Sequence, residues 1–109
     1  MKLETLAIHA GREPDPATGA LREPIHLATT FERGADGSYP HGYFYSRSGN
    51  PNRTALERAV AALEGGREAV AFASGSAATL AVFTLAASGG RVVCSSDCYH
   101  GTAKQLGEI

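Results

Sequence analysis

The sequence predicts an α/β fold preceded by an irregular N-terminal arm, and three observations lead to this prediction. Residues 1–50 are interrupted throughout by proline and glycine and show no sustained periodicity. Residues 51–109 alternate between stretches of helical periodicity and short apolar runs. Strand, helix and strand follow one another in this second part, as in a βαβ unit with two parallel strands and a right-handed crossover.

Length and composition exclude several classes of function. The 109 residues allow one small domain at most, and an apolar fraction of 43% is enough to build a core. A net charge of -1 argues against nucleic acid or an anionic membrane as the main partner. No secretory signal follows the first lysine, and the most apolar window, residues 77–87, is too short to span a bilayer. We therefore expect a soluble, cytoplasmic protein.

The arm begins with a short apolar stretch, Leu3 to His9, which predicts one or two helical turns. Prolines and glycines punctuate the rest, and so long an irregular stretch is usually functional or belongs to an interface. The arm is not composed like a disordered linker, because it carries apolar and aromatic side chains. We expect it to lie on another surface through Ile25, Leu27, Phe31, Tyr39, Tyr43, Phe44 and Tyr45.

A helix is predicted to follow the arm. Asn50 is suited to cap free backbone N–H groups, and Pro51 suits the first helical position. Gly65-Gly66 supplies the stop. Between these signals, apolar residues recur at helical spacing at Leu56, Ala59, Val60 and Leu63.

The remaining predicted elements are two strands, over residues 69–73 and 91–95, and two helices, over 77–87 and 102–108. The first of these helices has Thr79 and Thr84 as its only polar side chains. A helix that is apolar all round is normally buried, so we expect other elements to pack on all its sides. Two strands and one amphipathic helix cannot supply that cover, and no helix-stop signal precedes Ile109. We interpret the α/β part as incomplete; the alternative is a small domain that buries the helix by dimerising.

The turn Ser74-Gly75-Ser76 is a candidate anion site, because it joins a predicted strand to a predicted helix. The free backbone N–H groups and the dipole at a helix N-terminus favour an anion such as phosphate. Gly75 would let the backbone approach the ligand, and Ser76 would add a hydroxyl. The two common glycine-rich phosphate motifs are absent, so an ordinary strand-to-helix turn remains the alternative.

Tyr45 and Arg47 form a second candidate. A guanidinium grips a phosphate through two parallel hydrogen bonds, and a phenol can donate a third. In an extended chain these two side chains point to the same side. The alternatives are an aromatic anchor beside a solvated arginine and an RNA-binding segment, which the slightly acidic charge and the lack of an RRM pattern disfavour.

The loop after the second predicted strand is the third candidate. Tyr99 would stack on a heteroaromatic ligand or lie free at the surface. His100 would act as an acid–base group, although a loop histidine is more often merely solvated. Cys94 and Cys98 could hold zinc together with His100, but no second ligand pair occurs elsewhere. We predict two reduced thiols and no metal site.

Four motifs occur in a distinctive order: Tyr-Ser-Arg-x-x-Asn-Pro, Leu-Glu-Gly-Gly, Ala-Ser-Gly-x-Ala-Ala and Asp-x-Tyr-x-Gly-Thr. This order resembles the Cys/Met-metabolism PLP-dependent enzymes, such as cystathionine γ-synthase, cystathionine γ-lyase and methionine γ-lyase. Residues 9–11 and 24–31 look like the family's N-terminal arm. The resemblance implies a partial aspartate-aminotransferase-like fold (fold type I of the PLP-dependent transferases). Residues 1–50 would be an interface arm and residues 51–109 the first part of the PLP-binding large domain.

The resemblance also implies roles for five residues. Tyr45 and Arg47 would reach the phosphate of pyridoxal 5'-phosphate from the neighbouring subunit, and Gly75 and Ser76 would hold it within the subunit. Tyr99 would stack on the pyridine ring and serve as a catalytic proton-transfer residue. The implied partners are a small amino-acid substrate and further copies of the chain, as a dimer of dimers.

The lysine that binds the cofactor covalently lies further along in the family, and neither Lys2 nor Lys104 matches its motif. We therefore expect this chain alone to be inactive. Its motifs are common to the family's lyases, synthases and sulfhydrylases, so they predict β- or γ-elimination or γ-replacement without selecting one reaction. The rival interpretation is a non-enzymatic phosphate-binding or dimerisation module.

Overall fold

The computed structural model describes residues 2–86 and 89–108, which contain four helices and divide into two compact units. Helices α1 to α4 span Leu3–His9, Pro51–Glu64, Gly75–Ala86 and His100–Glu108. The first unit, Met1–Val70, holds α1 and α2, and the second, Ala71–Ile109, holds α3 and α4. The division into arm and large domain at residue 50 stays a prediction, whereas the compact units separate after Val70.

Helix α2 confirms the predicted start and stop signals. Asn50 has extended backbone angles, and its side-chain oxygen accepts a hydrogen bond from the Asn52 N–H at 2.9 Å. Pro51 is the first helical residue, where its missing N–H costs nothing. Gly65 ends the helix in the left-handed region, with a φ of 64°, and its N–H donates to the Ala61 carbonyl.

The predicted helix of the arm, α1, is also confirmed, and it contacts α2. Ala10 and Ala61 are the buried apolar residues among those described. Gly11 makes the close approach possible: its φ is 68°, and a Cβ built on it would lie 2.6 Å from the backbone nitrogen of Ala59. A side chain at this position would therefore separate the arm from α2.

The rest of the arm is more ordered than its composition indicates, because two of its segments pair. Thr30 and Tyr45 form an isolated antiparallel bridge. The Phe31 N–H donates to the Phe44 carbonyl at 3.2 Å, and the Ser46 N–H donates to the Thr29 carbonyl at 2.8 Å. Two tilted aromatic pairs with ring centroids 5.4 Å apart accompany this pairing: Phe31 with Tyr43, and Tyr39 with Phe44.

Helices α3 and α4 of the second unit each begin two residues earlier than predicted. Ser74 caps α3: its hydroxyl accepts from the Ala77 N–H and its carbonyl from the Ala78 N–H, both at 3.1 Å. Helix α4 begins at His100 rather than Thr102. The predicted end of α3 at residue 87 lies outside the described residues.

The two predicted strands are not formed among the described residues. Residues 69–73 and 91–95 take part in no β ladder. Among the described residues, the β pairing present is the antiparallel bridge in the arm. The physical reason is that a strand needs a neighbour for its backbone N–H and C=O groups. An apolar run indicates strand propensity, but it does not provide that neighbour. The side chain of Val93 is accordingly 95% exposed.

The apolar helix α3 lacks the cover that its sequence requires. None of its described residues is buried, and the side chain of Leu85 is 84% exposed. Exposed apolar surface of this kind is typical of a contact with protein, membrane or ligand, or of an aggregation-prone surface. Among residues 2–86 and 89–108, no helix has the length and apolar character needed to cross a membrane.

Substituting Gly11 by alanine is expected to destabilise the first unit more than the same change at Gly19. The φ angles are 68° and 71°, so both variants carry similar backbone strain, on the order of 1 kcal/mol. Only at Gly11 does the new Cβ meet backbone; at Gly19 no described residue other than the chain neighbours lies within 4 Å of the corresponding position. Denaturant titration of the purified variants measures both free energies of unfolding. Equal losses would contradict the packing role of Gly11.

Candidate functional site

The N-terminus of α3 provides a set of unused backbone donors. The Ser74 hydroxyl accepts a hydrogen bond from the Ala77 N–H at 3.1 Å. The amides of Gly75 and Ser76 have no intrahelical acceptor, as at the start of any helix. Apart from its chain neighbours and the backbone of its own helix, no described residue has a heavy atom within 4 Å of a Cβ built on Gly75, so the backbone is open to a ligand there. These donors and the helix dipole favour an anion.

Tyr99 lies beside these donors. Its side chain is 74% exposed, and it borders the same concavity, of about 450 Å³, as the start of α3. The structure therefore brings Gly75, Ser76 and Tyr99 together around one concavity. Among the described residues, this concavity is lined by Ser74, Gly75, Ser76, Thr79, Tyr99 and Thr102.

The position of the Tyr99 ring depends on the start of α4. The Tyr99 carbonyl accepts from the amides of Thr102 at 2.9 Å and Ala103 at 3.2 Å. A Cβ on Gly101 would lie 2.6 Å from Cε1 of the Tyr99 ring, so the missing side chain of Gly101 gives the ring its place. The aromatic face is thus held by the first turn of the helix that follows it.

Gln105 is not among the residues that the sequence predicts for the site, yet it joins the two halves of this site. Its amide nitrogen donates to the Ser76 carbonyl at 2.9 Å. The Thr79 hydroxyl donates to its side-chain oxygen at 2.8 Å. These bonds link α4, which directly follows Tyr99, to the first turns of α3. A glutamine within a helical pattern carries no sequence signal for such a role.

Tyr45 and Arg47 lie together in the first compact unit, and their side chains meet. The guanidinium carbon of Arg47 is 4.9 Å from the centroid of the Tyr45 ring, within the range of a cation–π contact. The premise of an extended chain is wrong, because residues 45–49 form a turn. The amides of Ser48 and Gly49 both donate to the Tyr45 carbonyl at 3.0 Å.

The Arg47 guanidinium is available to a ligand. The residue is exposed, and within the described part of the chain no carboxylate pairs with it. A concavity of about 500 Å³ beside it is lined by Tyr45, Arg47, aromatic residues of the arm and further polar side chains. The five predicted site residues therefore fall into two groups, one in each compact unit.

The loop before Tyr99 carries two titrating groups with shifted pKa values. A hydrogen bond from the Ser95 hydroxyl lowers the pKa of Asp97. Cys94 and Cys98 are free thiols, and the hydrogen bond between their side chains raises the pKa of Cys94. Among the described residues no group of three or more His, Cys, Asp or Glu side chains is arranged to hold a metal. His100 is the exposed first residue of α4.

Comparison with known proteins gives a consistent result. Residues 4–109 match the family described as Cys/Met metabolism PLP-dependent enzyme. Cystathionine gamma-lyase of Bos taurus is 47% identical over 106 residues, which are 96% of this chain and 26% of that protein. Cystathionine beta-lyase of Coxiella burnetii is 48% identical over 100 residues, which are 92% of this chain and 26% of that protein. The chain thus spans about a quarter of the length of these relatives.

Solved structures show the same likeness in the backbone. Cystathionine gamma-lyase from yeast superimposes with a TM-score of 0.85 at 44% identity, over 99% of this chain and 27% of that one. Cystathionine gamma-lyase from Lactobacillus plantarum, complexed with L-serine, gives a TM-score of 0.84 at 43% identity, over 100% of this chain and 28% of that one.

Substituting Gly101 by alanine is expected to displace the Tyr99 ring, whereas the same change at Gly107 is not. Both glycines lie in α4, but a Cβ at Gly107 meets no described residue within 4 Å apart from its chain neighbours and the backbone of the helix itself. Selective labelling of tyrosine and comparison of the Tyr99 ring chemical shifts in the two variants measures the displacement. Unchanged Tyr99 shifts in the Gly101 variant would show that this glycine does not position the ring.

Proposed function

Because the chain belongs to the Cys/Met metabolism PLP-dependent enzyme family, we propose that it is the N-terminal part of an enzyme of sulfur amino-acid metabolism. The enzyme would catalyse β- or γ-elimination or γ-replacement on substrates such as cystathionine, homocysteine, methionine or an O-acyl-homoserine. The observation that carries this proposal is the shared concavity of the α3 N-terminus and the exposed Tyr99 ring. We assign the chain to the fold type I large domain and its preceding arm.

The chemistry of this concavity fits pyridoxal 5'-phosphate. The cofactor is a flat aromatic ring with an anionic phosphate, so it needs an anion site next to an aromatic surface. The amides of Gly75 and Ser76 would hold the phosphate, and the Ser76 hydroxyl would add a donor. The exposed face of Tyr99 would cover the pyridine ring. When bound, the cofactor supplies an electron sink for the bonds that break at the substrate's α-carbon.

The remaining steps in the proposal belong to the protein's own side chains. The Tyr99 ring would orient the cofactor by stacking, and its phenol Oη would hold or release a proton beside the substrate. Gln105 would keep this phenol at a fixed place relative to the phosphate site, since it bonds to Ser76 and Thr79. A positioned proton carrier of this kind contributes on the order of 10²- to 10⁴-fold to a rate.

Arg47 and Tyr45 would bind the same phosphate from a neighbouring copy of the chain. Three observations support this part of the proposal. Arg47 is exposed and has no carboxylate partner in the described part of the chain. Its guanidinium lies over the Tyr45 ring, which restricts its motion. The arm also leaves apolar side chains uncovered, with Leu27 89% exposed. We propose a dimer of dimers in which the arm lies on the partner.

The chain's two lysines do not provide a covalent cofactor site in this proposal. Lys104 lies on α4 with its ammonium 3.7 Å from the Glu108 carboxylate, and Lys2 precedes α1. We therefore propose that residues 1–109 alone are inactive and that the covalent lysine lies elsewhere in the full-length protein. We propose a cytoplasmic location, in which Cys94 and Cys98 would stay reduced.

Tyr99 is expected to show two separable contributions in the full-length protein. Tyr99→Ala removes the stacking surface, so the dissociation constant of the cofactor should rise roughly 2- to 13-fold, the equivalent of about 0.5–1.5 kcal/mol. Tyr99→Phe keeps the ring and should bind the cofactor nearly as well as the wild type, but with slower turnover. Fluorescence titration of the apo-protein and steady-state kinetics measure the two effects. Equal cofactor affinity in the wild type and the alanine variant would refute the stacking role.

Mixing two inactive full-length variants tests the shared site. One variant is Arg47→Ala, and in the other the covalent lysine is replaced. If Arg47 acts across the interface, a mixed dimer has one site with both defects and one with neither. Co-refolding should then restore activity to about half of the sites in each mixed dimer, by the two-fold symmetry of the pair.

The control for this experiment is each variant refolded alone, which should stay inactive. If Arg47 serves its own subunit, every site in a mixed dimer carries one defect. Absence of recovery, in samples where mixed dimers are demonstrated by mass, would therefore reject the shared site.

A further inference from the structure

The turn that carries Arg47 is held by a second arginine. Arg53 lies in the first turn of α2, and its guanidinium donates to the carbonyls of Arg47 at 3.3 Å and Ser48 at 2.5 Å. Its third nitrogen, Nε, lies 3.7 Å from the Glu57 carboxylate. Arg53 therefore connects the helix to the backbone of the residue that would bind the phosphate.

The same turn is tied down from its other side. The Asn50 amide nitrogen donates to the Ser46 hydroxyl at 2.8 Å and to the His26 carbonyl at 3.3 Å. The Ser46 N–H donates to the Thr29 carbonyl at 2.8 Å. These contacts fix the beginning of the turn, whereas Arg53 is the side chain that holds its exposed end. Without Arg53, residues 47 and 48 keep the bonds internal to the turn but lose their link to α2.

An arginine suits this task better than a lysine. The two carbonyls belong to consecutive residues, and the planar guanidinium presents several N–H donors in a rigid fork. An ammonium is a point charge on a flexible stem, so it would satisfy either carbonyl without fixing both. The Glu57 carboxylate offsets the charge of Arg53, which limits its repulsion of the Arg47 guanidinium. The arrangement favours a geometric role for Arg53 over a direct role in attracting an anion.

We propose that Arg53 is a positioning residue for Arg47. It holds the Tyr45–Ser48 turn against α2, so that the Arg47 guanidinium is presented in one orientation, over the Tyr45 ring. Its effect on phosphate binding passes through Arg47, and this part of the inference rests on the proposed function. Its effect on the conformation of the turn does not depend on that function.

A double-mutant cycle in the full-length protein tests the inference. The dissociation constants of pyridoxal phosphate and of pyridoxal, which lacks the phosphate, are measured by titration of the apo-proteins. Arg53→Ala should weaken pyridoxal phosphate roughly tenfold, which corresponds to about 1.4 kcal/mol, and leave pyridoxal within about twofold, the precision of such a titration. In an Arg47→Ala background the same change should have no further effect, because the residue through which it acts is gone.

Two further variants separate geometry from charge. Arg53→Lys keeps the charge but not the fork, so it should also weaken pyridoxal phosphate, by at least about threefold, or about 0.7 kcal/mol. Arg58→Ala is the matched control, since Arg58 lies on the same helix and its guanidinium makes no hydrogen bond with the described residues. It should leave both ligands unaffected. If Arg53→Ala does not fold, the double-mutant cycle with Arg47→Ala is measured with Arg53→Lys instead.

Amide hydrogen exchange supplies a readout that is independent of the cofactor. The amides of Ser48 and Gly49 bond to the Tyr45 carbonyl, so they report on the turn. Their exchange should accelerate in the Arg53 variants and not in Arg58→Ala. Unchanged exchange would overturn the inference, whatever the affinities are.

The affinities then separate the two proposals. Normal affinity in Arg53→Ala together with weakened affinity in Arg47→Ala would overturn the positioning role alone. Equal weakening of pyridoxal and pyridoxal phosphate, or full additivity with Arg47→Ala, would also overturn it, because Arg53 would then act on general stability or by its own charge. Normal affinity for pyridoxal phosphate in Arg47→Ala would overturn the proposed phosphate role of Arg47, and with it the route by which Arg53 reaches the ligand.

Discussion

The order of the arm depends on hydrogen bonds to side chains at the start of α2. Asn52 is central: its side-chain oxygen accepts from the His26 N–H at 2.8 Å, and its amide nitrogen donates to the Pro24 carbonyl at 2.6 Å. Asn50 and Arg53 hold the Tyr45–Ser48 turn. A helix cap thus also anchors two distant segments of irregular chain. Backbone groups in irregular segments need such partners, because no ladder or helix satisfies them.

Polar contacts take this role because the unit buries little apolar surface. Ala10 and Ala61 are its buried apolar residues among those described, and both are small. The second unit follows the same principle, with Gln105 joining α3 and α4 while the apolar side chains of α3 remain exposed. In both units directional bonds contribute much of the internal order, and many large apolar side chains remain exposed. The proposed interface arm and partial large domain would require such an arrangement.

The candidate site shows how local rules and long-range contacts combine. The free amides of the candidate anion site at the start of α3 are a consequence of helix geometry, since any helix leaves its first amides without acceptors. The aromatic partner comes from a segment more than twenty residues later, and it reaches this place because α4 packs on α3. Glycine contributes at Gly101 by leaving room for the Tyr99 ring. The chemistry of the site therefore resides in few residues, while its geometry resides in the junction between two helices.

The sequence by itself determined the features that depend on neighbours in the chain. The limits of α2 follow from Asn50, Pro51 and Gly65, and the order of the four motifs was sufficient to recognise the family. Only the tertiary structure decided how residues separated by 24 to 29 positions meet, as in the bonds of Asn50 to His26 and of Gln105 to Ser76. It also replaced the extended chain at Tyr45–Arg47 by a turn and left the two apolar runs outside any sheet. The physical reason is that helix caps and apolar periodicity depend on residues a few positions apart. A strand, or a hydrogen bond between distant segments, needs a partner whose position only the folded chain provides.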